Sequence, residues 1–108
     1  MIIAITRFQL PHPITSNEAR ERFLGTAPTY QGVAGLVRKH YVVSQDGSTV
    51  GGVYLWNSQA DADAMFTDSW KRFVQEKYGT EPSVTYFDCP VVVDNLSRQI
   101  HTDVDEPD

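Results

Sequence analysis

The sequence predicts an α+β domain in the order βαββαβ, a four-stranded antiparallel sheet with both helices on one face. Three observations predict it. Four runs rich in β-branched and aromatic residues lie at 2–9, 36–44, 49–56 and 84–93. Two helix-like runs separate the first run from the second and the third from the fourth, each preceded by a Ser or Thr with an acidic residue three places on. Asp46-Gly47 joins the second and third runs directly, so they pair as a hairpin while the helices form right-handed crossovers.

Each element has its own local reason. IIAITRFQ at 2–9 is β-branched and aromatic, and Leu10-Pro11-His12-Pro13 stops it, because each proline lacks a donor and fixes φ. Thr15 and Glu18 have the spacing of a capping box, which opens a helix with Ala19, Phe23 and Ala27 on one stripe. Pro28 ends or kinks that helix. After a loop from Gly32 to Gly35, LVRKHYVVS forms the second strand. An Asp-Gly pair suits a type I′ turn, which needs positive φ at both central residues. Thr49 to Trp56 forms the third strand. Ser58 caps a second helix, which runs to about Phe66, breaks near Thr67-Asp68 and resumes to Tyr78, with Gly79 as its stop. VTYFDCPVVV at 84–93 is the fourth strand, and Pro90 places it at an edge or a bulge. The single domain spans 1–96, and the aperiodic, acidic residues 97–108 read as a mobile tail.

This arrangement is ferredoxin-like and leaves one sheet face bare. Pairing about Asp46-Gly47 sets Tyr41 against Gly52, Lys39 against Tyr54 and Val37 against Trp56. One face then carries Lys39, Tyr41, Gly52, Tyr54 and Trp56, and the other Arg38, His40, Val42, Val53 and Leu55. The second set, more aliphatic, is assigned to the helices and the aromatic set to the bare face. Gly51-Gly52 reads as room made for something bulky. Aromatics on a sheet ordinarily pack core, and the Phe66, Trp70, Phe73 stripe suits a helix packed on a sheet. A lysine on such a face is the anomaly, because burying its charge unpaired is costly unless it snorkels to the edge.

Composition excludes several classes. Four of the last six residues are acidic, so the net charge of −5 leaves the rest of the chain near −1. That is a poor start for binding nucleic acid or an anionic membrane. GGVYLW echoes a platform of the RNA-recognition type, but Val50 and Gly52 stand where a cation and an aromatic belong. One cysteine, Cys89, allows no internal disulfide, and His12, His40 and His101 share no metal-ligand spacing. The apolar run before Arg7 is too short for a signal-peptide core, and the expected compartment is the cytoplasm.

The segments TAPTYQGVAGLVRKHY, GGVYLWNSQADADAMF and YGTEPSVTYFDCPVVVDN resemble the dimeric α/β-barrel superfamily. Within it the chain is similar to the YdhR-like monooxygenase group, near the antibiotic-biosynthesis monooxygenases. The resemblance covers roughly residues 1 to 96. It implies a homodimer whose two sheets pack face to face, and oxidation of quinol- or anthrone-type aromatics by O₂ with no metal or flavin. The Asn-Trp-His set of haem-degrading relatives is not matched at a spacing that aligns. Such chemistry needs a flat ring bound, a proton removed and an enolate or phenolate stabilised. Tyr41, Trp56, Phe66, Trp70 and Tyr86 are the candidate walls. Lys39 is the candidate oxyanion partner, because a positive charge in a dry site acts more strongly than in water. His40 is the candidate base, since histidine changes charge near neutral pH. Its alternative is a hydrogen-bonded histidine on the helix side. Tyr54 is a candidate hydrogen-bond donor, and Arg38 meets either an acidic substrate group or a surface carboxylate. A ligand-binding dimer without catalysis is the alternative function.

Overall fold

The computed structural model describes residues 1–103. The elements run β1 (Ile2–Gln9), α1 (Ser16–Tyr30), β2 (Leu36–Val43), β3 (Thr49–Trp56), α2 (Gln59–Met65), α3 (Asp68–Tyr78), β4 (Ser83–Asp88), β5 (Val91–Asp94) and β6 (Gln99–Thr102). The main sheet is four-stranded, in the order β2-β3-β1-β4, and all of its pairs are antiparallel. The predicted ferredoxin-like order therefore holds. Among the described residues no helix is long and apolar enough to cross a membrane.

The helix boundaries follow their caps. The Thr15 hydroxyl accepts from the Glu18 N–H at 3.1 Å, and the Glu18 carboxylate accepts from the Thr15 N–H at 2.8 Å, which completes the capping box. The Thr15 backbone N–H, and then the Thr15 side chain, hold the Glu18 carboxyl below its ordinary value. Helix α1 runs past Pro28 to Tyr30, because a proline in the last turn removes only one late hydrogen bond. The break at Thr67 is real, and there Thr67 caps α3 by accepting from the Trp70 N–H. Gly79 ends α3 at φ 81°, in the left-handed region.

The hairpin differs from the expected turn. Gly47 has φ 77°, but Asp46 is not among the residues with positive φ, so the turn is not type I′. Instead Gly47 N–H donates to the Ser44 carbonyl and Ser44 N–H to the Thr49 carbonyl, which makes Gln45 through Ser48 the loop. The Asp46 carboxylate accepts from the Ser44 hydroxyl and from both the N–H and the hydroxyl of Ser48. Those bonds, chiefly the ones from Ser48, hold its pKa down at about 2. The pairing survives because this loop is symmetric about the same point: Lys39 faces Tyr54 and Tyr41 faces Gly52. A bulge near Val37 shifts the far end, and Leu36, not Val37, faces Trp56.

The assignment of faces is corrected. The aromatic face is the helix-covered one. Ala4 and Phe8 of β1 and Val50, Tyr54 and Trp56 of β3 form one buried core with Phe23, Ala62, Phe66, Trp70 and Val74 of the helices. Register fixes which residues share a face but not which face the helices cover. Aromatic rings on the sheet meet aromatic rings on the helices, as Tyr54 and Trp56 meet Phe66 edge-on. The uncovered face carries Ile3, Ile5, Val42, Val53, Leu55 and Phe87, aligned across the strands as Phe87–Ile3–Leu55 and Ile5–Val53.

The C-terminal region also departs from expectation. The run 84–93 is two strands separated at Cys89-Pro90, and β5 pairs with a strand the sequence reading missed, β6. The 1–96 boundary thus falls inside a hairpin. Its turn is organised by the Asp94 carboxylate, which accepts from the N–H groups of Leu96 and Ser97. Four residues, QIHT, are too few to show a period. The last five residues of the expected tail, 104–108, lie outside the described residues.

Candidate active site

Lys39 decides the character of the site. Its backbone position on β2 sends the side chain under α1, into the aromatic core. There its nitrogen lies 3.4 Å from the centre of the Tyr30 ring, 3.8 Å from that of Tyr41 and 4.7 Å from that of Tyr54. Three elements supply this cage: α1, β2 and β3. The ion pair found among the described residues lies elsewhere, between the Met1 amino group and Asp103. Lys39 therefore sits among π faces and pairs with no carboxylate among the described residues. Burial pulls its pKa down from 10.5 to about 7. The ring faces act in the opposite sense, since each favours a cation.

Each wall is itself held. The Tyr30 hydroxyl accepts from the Trp70 indole N–H at 3.2 Å, tying α1 to α3. The Tyr41 ring stacks on Phe23 at 4.7 Å, and its hydroxyl shares a 2.8 Å hydrogen bond with Thr26. Tyr54 stacks on Trp56 and meets Phe66 edge-on. Burial raises the Tyr41 hydroxyl to about 12, against the opposing bond from Thr26. Burial, then the neighbouring Tyr30 hydroxyl, raises Tyr54 as well. Both phenols stay protonated at neutral pH and are donors.

The glycine pair is explained here. A Cβ on Gly52 would lie 2.9 Å from Cε1 of the Tyr54 ring and 3.2 Å from Cε of Lys39, so Gly52 leaves the space that both side chains occupy. A Cβ on Gly51 would strike the carbonyl oxygen of Thr6 in the adjacent strand. Thr6, only 1% exposed, returns a hydrogen bond by accepting from the Gly52 N–H at 3.0 Å.

Beside the cage lies a small cavity of about 30 Å³, walled by Thr6, Tyr30, Lys39, Tyr41, Tyr54 and Trp70. That is room for a water molecule or two, not for an aromatic ring. At its rim stand Phe73, 53% exposed, and Lys77 on the outer side of α3.

The structure brings together Lys39, Tyr41, Tyr54 and Trp70 of the candidate residues and separates the others. His40, expected on the helix side by its register, is exposed on the uncovered face, opposite Lys39. Adjacent residues of a strand point to opposite faces, so His40 and Lys39 cannot share a pocket. Arg38 also lies on the uncovered side, in a groove with Val37, Leu55 and the β5–β6 hairpin. Trp56 is fully buried, does not line the cavity, and its indole N–H has no partner among the described residues. Phe66 is core, and Tyr86 packs on Phe66 rather than on the cage. Sequence reasoning missed Tyr30, Thr6, Thr26 and Tyr78. Tyr30 was hidden by Pro28, which read as the end of the helix. Among the described residues no three His, Cys, Asp or Glu side chains gather as metal ligands.

No protein-family model matches this chain, and no curated protein matches it. Solved structures do. A monooxygenase from the gene ActVA-Orf6 of Streptomyces coelicolor, in complex with the ligand nanaomycin D, superposes with TM-score 0.62 at 19% identity over 82% of this chain and 86% of its own. The chain has the fold of the antibiotic biosynthesis monooxygenases. SnoaB, a cofactor-independent oxygenase from Streptomyces nogalater, shares it with TM-score 0.58 at 14% identity, over 82% of this chain and 91% of that one. A third such structure, an antibiotic biosynthesis monooxygenase, gives TM-score 0.60 at 15% identity, over 82% and 98%. At these identities the likeness is one of fold.

Proposed function

We propose that the protein is a cofactor-independent monooxygenase of an aromatic, quinol- or anthrone-type small molecule, bound between the sheet and the helices beside Lys39. The observation that carries this reading is the Lys39 cage: an amine walled by tyrosines, with no carboxylate to neutralise it among the described residues. A ligand that is flat, apolar and able to become an anion matches each of those features. The monooxygenase from Streptomyces coelicolor and the oxygenase from Streptomyces nogalater, which share the fold, support the class of reaction.

In this reaction a methylene or ring C–H of the ionised substrate is converted to a carbonyl by O₂. One oxygen atom enters the product and the other leaves as water with two hydrogens. Lys39 holds the negative charge that the substrate must develop before it can pass an electron to O₂. Tyr54, kept protonated by burial, donates to the same oxygen, while Tyr41, whose hydroxyl is bonded to Thr26, walls the site. Exclusion of water by Phe23 and Trp70 strengthens these interactions. Because the cavity is small, a ring gains room by outward rotation of Phe73 and Lys77 at the rim.

The protein works as a homodimer in this reading, joined through the uncovered sheet face. Val37 and Val42 of β2 and Phe87 of β4 are all exposed there. An apolar face of this extent is a partner surface rather than a solvated one. The β5–β6 hairpin, with Val91, Val93 and Ile100 exposed, extends that surface.

Oxygen uptake tests the function. A panel of anthrones, quinols and catechols, without added metal or flavin, is expected to give protein-dependent uptake that Lys39→Met abolishes. Binding of the same compounds with no uptake would instead identify a ligand-binding dimer.

A further inference from the structure

We propose that the Lys39 amine is the base of the reaction: it takes the hydroxyl proton of an acidic hydroxyarene and then stays beside the phenolate as its counter-ion. This rests on the functional reading above and deepens it, since it names both the proton acceptor and the acidity that the substrate must have.

The candidates for the base narrow by geometry. His40 is on the opposite side of the sheet. The charged or titratable groups that line the cavity with Lys39 are Tyr30 from α1, Tyr41 from β2, Tyr54 from β3, and Lys77 and Tyr78 from α3, while β1 contributes the uncharged Thr6 and Phe8. Tyr41, Tyr54 and Tyr78 are all shifted upward by burial, so none is a base near neutral pH. Among the described residues no carboxylate lines the cavity. Of the groups that do line it, the Lys39 nitrogen is the one whose basic lone pair burial frees near neutral pH.

The step balances. The substrate O–H bond breaks, an N–H bond forms on Nζ, and a neutral pair becomes an ammonium–phenolate pair. The cage suits both ends. Before transfer it holds an amine whose pKa desolvation has pulled down to about 7, so that a neutral fraction is present at neutral pH. After transfer it holds an ammonium against three ring faces, with an anion as its partner. No proton enters from solvent.

The test uses 7-hydroxycoumarin, whose phenolate has its own absorption band, titrated anaerobically with the full-length protein. Wild type is expected to bind it as the phenolate at a pH where the free probe is mostly protonated, lowering its apparent pKa by about one unit, a tenfold change. Lys39→Met is expected to bind it as the phenol. Lys39→Arg separates a base from a mere counter-ion, because arginine stays charged and cannot accept the proton. Calorimetry in two buffers of different ionisation enthalpy is then expected to show less proton release for wild type than for Lys39→Arg, which must release about one. Phenol bound unchanged by wild type, or equal proton release from wild type and Lys39→Arg, overturns the base assignment and leaves the oxygenase reading standing. Failure of the probe to bind at all overturns both.

Discussion

The Lys39 nitrogen stands 3.4 Å from the centre of the Tyr30 ring. The two residues come from different elements, β2 and α1, and Tyr30 is fixed in turn by Trp70 of α3. This contact joins the sheet to both long helices and puts a titrating amine inside the core.

Lys39 makes stability depend on pH, with a definite sign. Its folded pKa of about 7 lies below the ordinary 10.5, so the folded state binds fewer protons than the unfolded state between those values. Stability therefore rises with pH across that window, and the penalty of burying the charge is fully present below about pH 7. Lys39→Met removes it. The variant is expected to be more stable than wild type at pH 6, by on the order of a few kcal/mol less whatever the ring faces return, with the gap closing towards pH 10. Urea unfolding at pH 6, 8 and 10 measures it, and a gap that does not change with pH contradicts it.

Gly52→Ala places a methyl against Tyr54 and the Lys39 stem. The Tyr54 ring is locked by Trp56 and Phe66, so the lysine must give way. A loss of about 1–3 kcal/mol is expected, together with weaker binding of hydroxyarenes. Thermal melting and a binding titration of the same preparation check both, and unchanged values would show that the space is not needed.

Thr6→Val keeps the shape and removes the acceptor of the Gly52 N–H. That leaves a buried donor unpaired, at about 1–3 kcal/mol. Denaturant unfolding reads the loss, and Thr6→Ser, which keeps the hydroxyl, is expected to recover part of it.

Phe87→Lys puts a charge on the uncovered sheet face, where Phe87 aligns with Ile3 and Leu55. Light scattering at micromolar concentration is expected to show a dimer for wild type and a monomer for this variant. A wild-type monomer at that concentration would remove the uncovered face as an interface.

The local elements were legible because their causes are local. Thr15 with Glu18, Ser58, Thr67 and Gly79 act within one turn of helix, and each does what its chemistry predicts. The pairing of Lys39 with Tyr54 was legible too, since hairpin register depends on the symmetry of the loop. The turn type was not, because Asp46 spends its carboxylate on Ser44 and Ser48 instead of adopting positive φ. Strand β6 was not, because four residues held by pairing with β5 carry no pattern of their own.

The sequence by itself determined the order of elements, the hairpin register and the sets of residues that share a face, because these follow from periods, caps and turns within a few residues. Only the tertiary structure decided which face the helices cover. That choice depends on how Phe23, Phe66 and Trp70, distant in sequence, pack against Tyr54 and Trp56, and it turned an apparently open aromatic platform into a closed core. It also parted Lys39 from His40, neighbours along the chain, and brought Tyr30 to Lys39, because a strand sends successive side chains to opposite faces and a helix must lie on one of them.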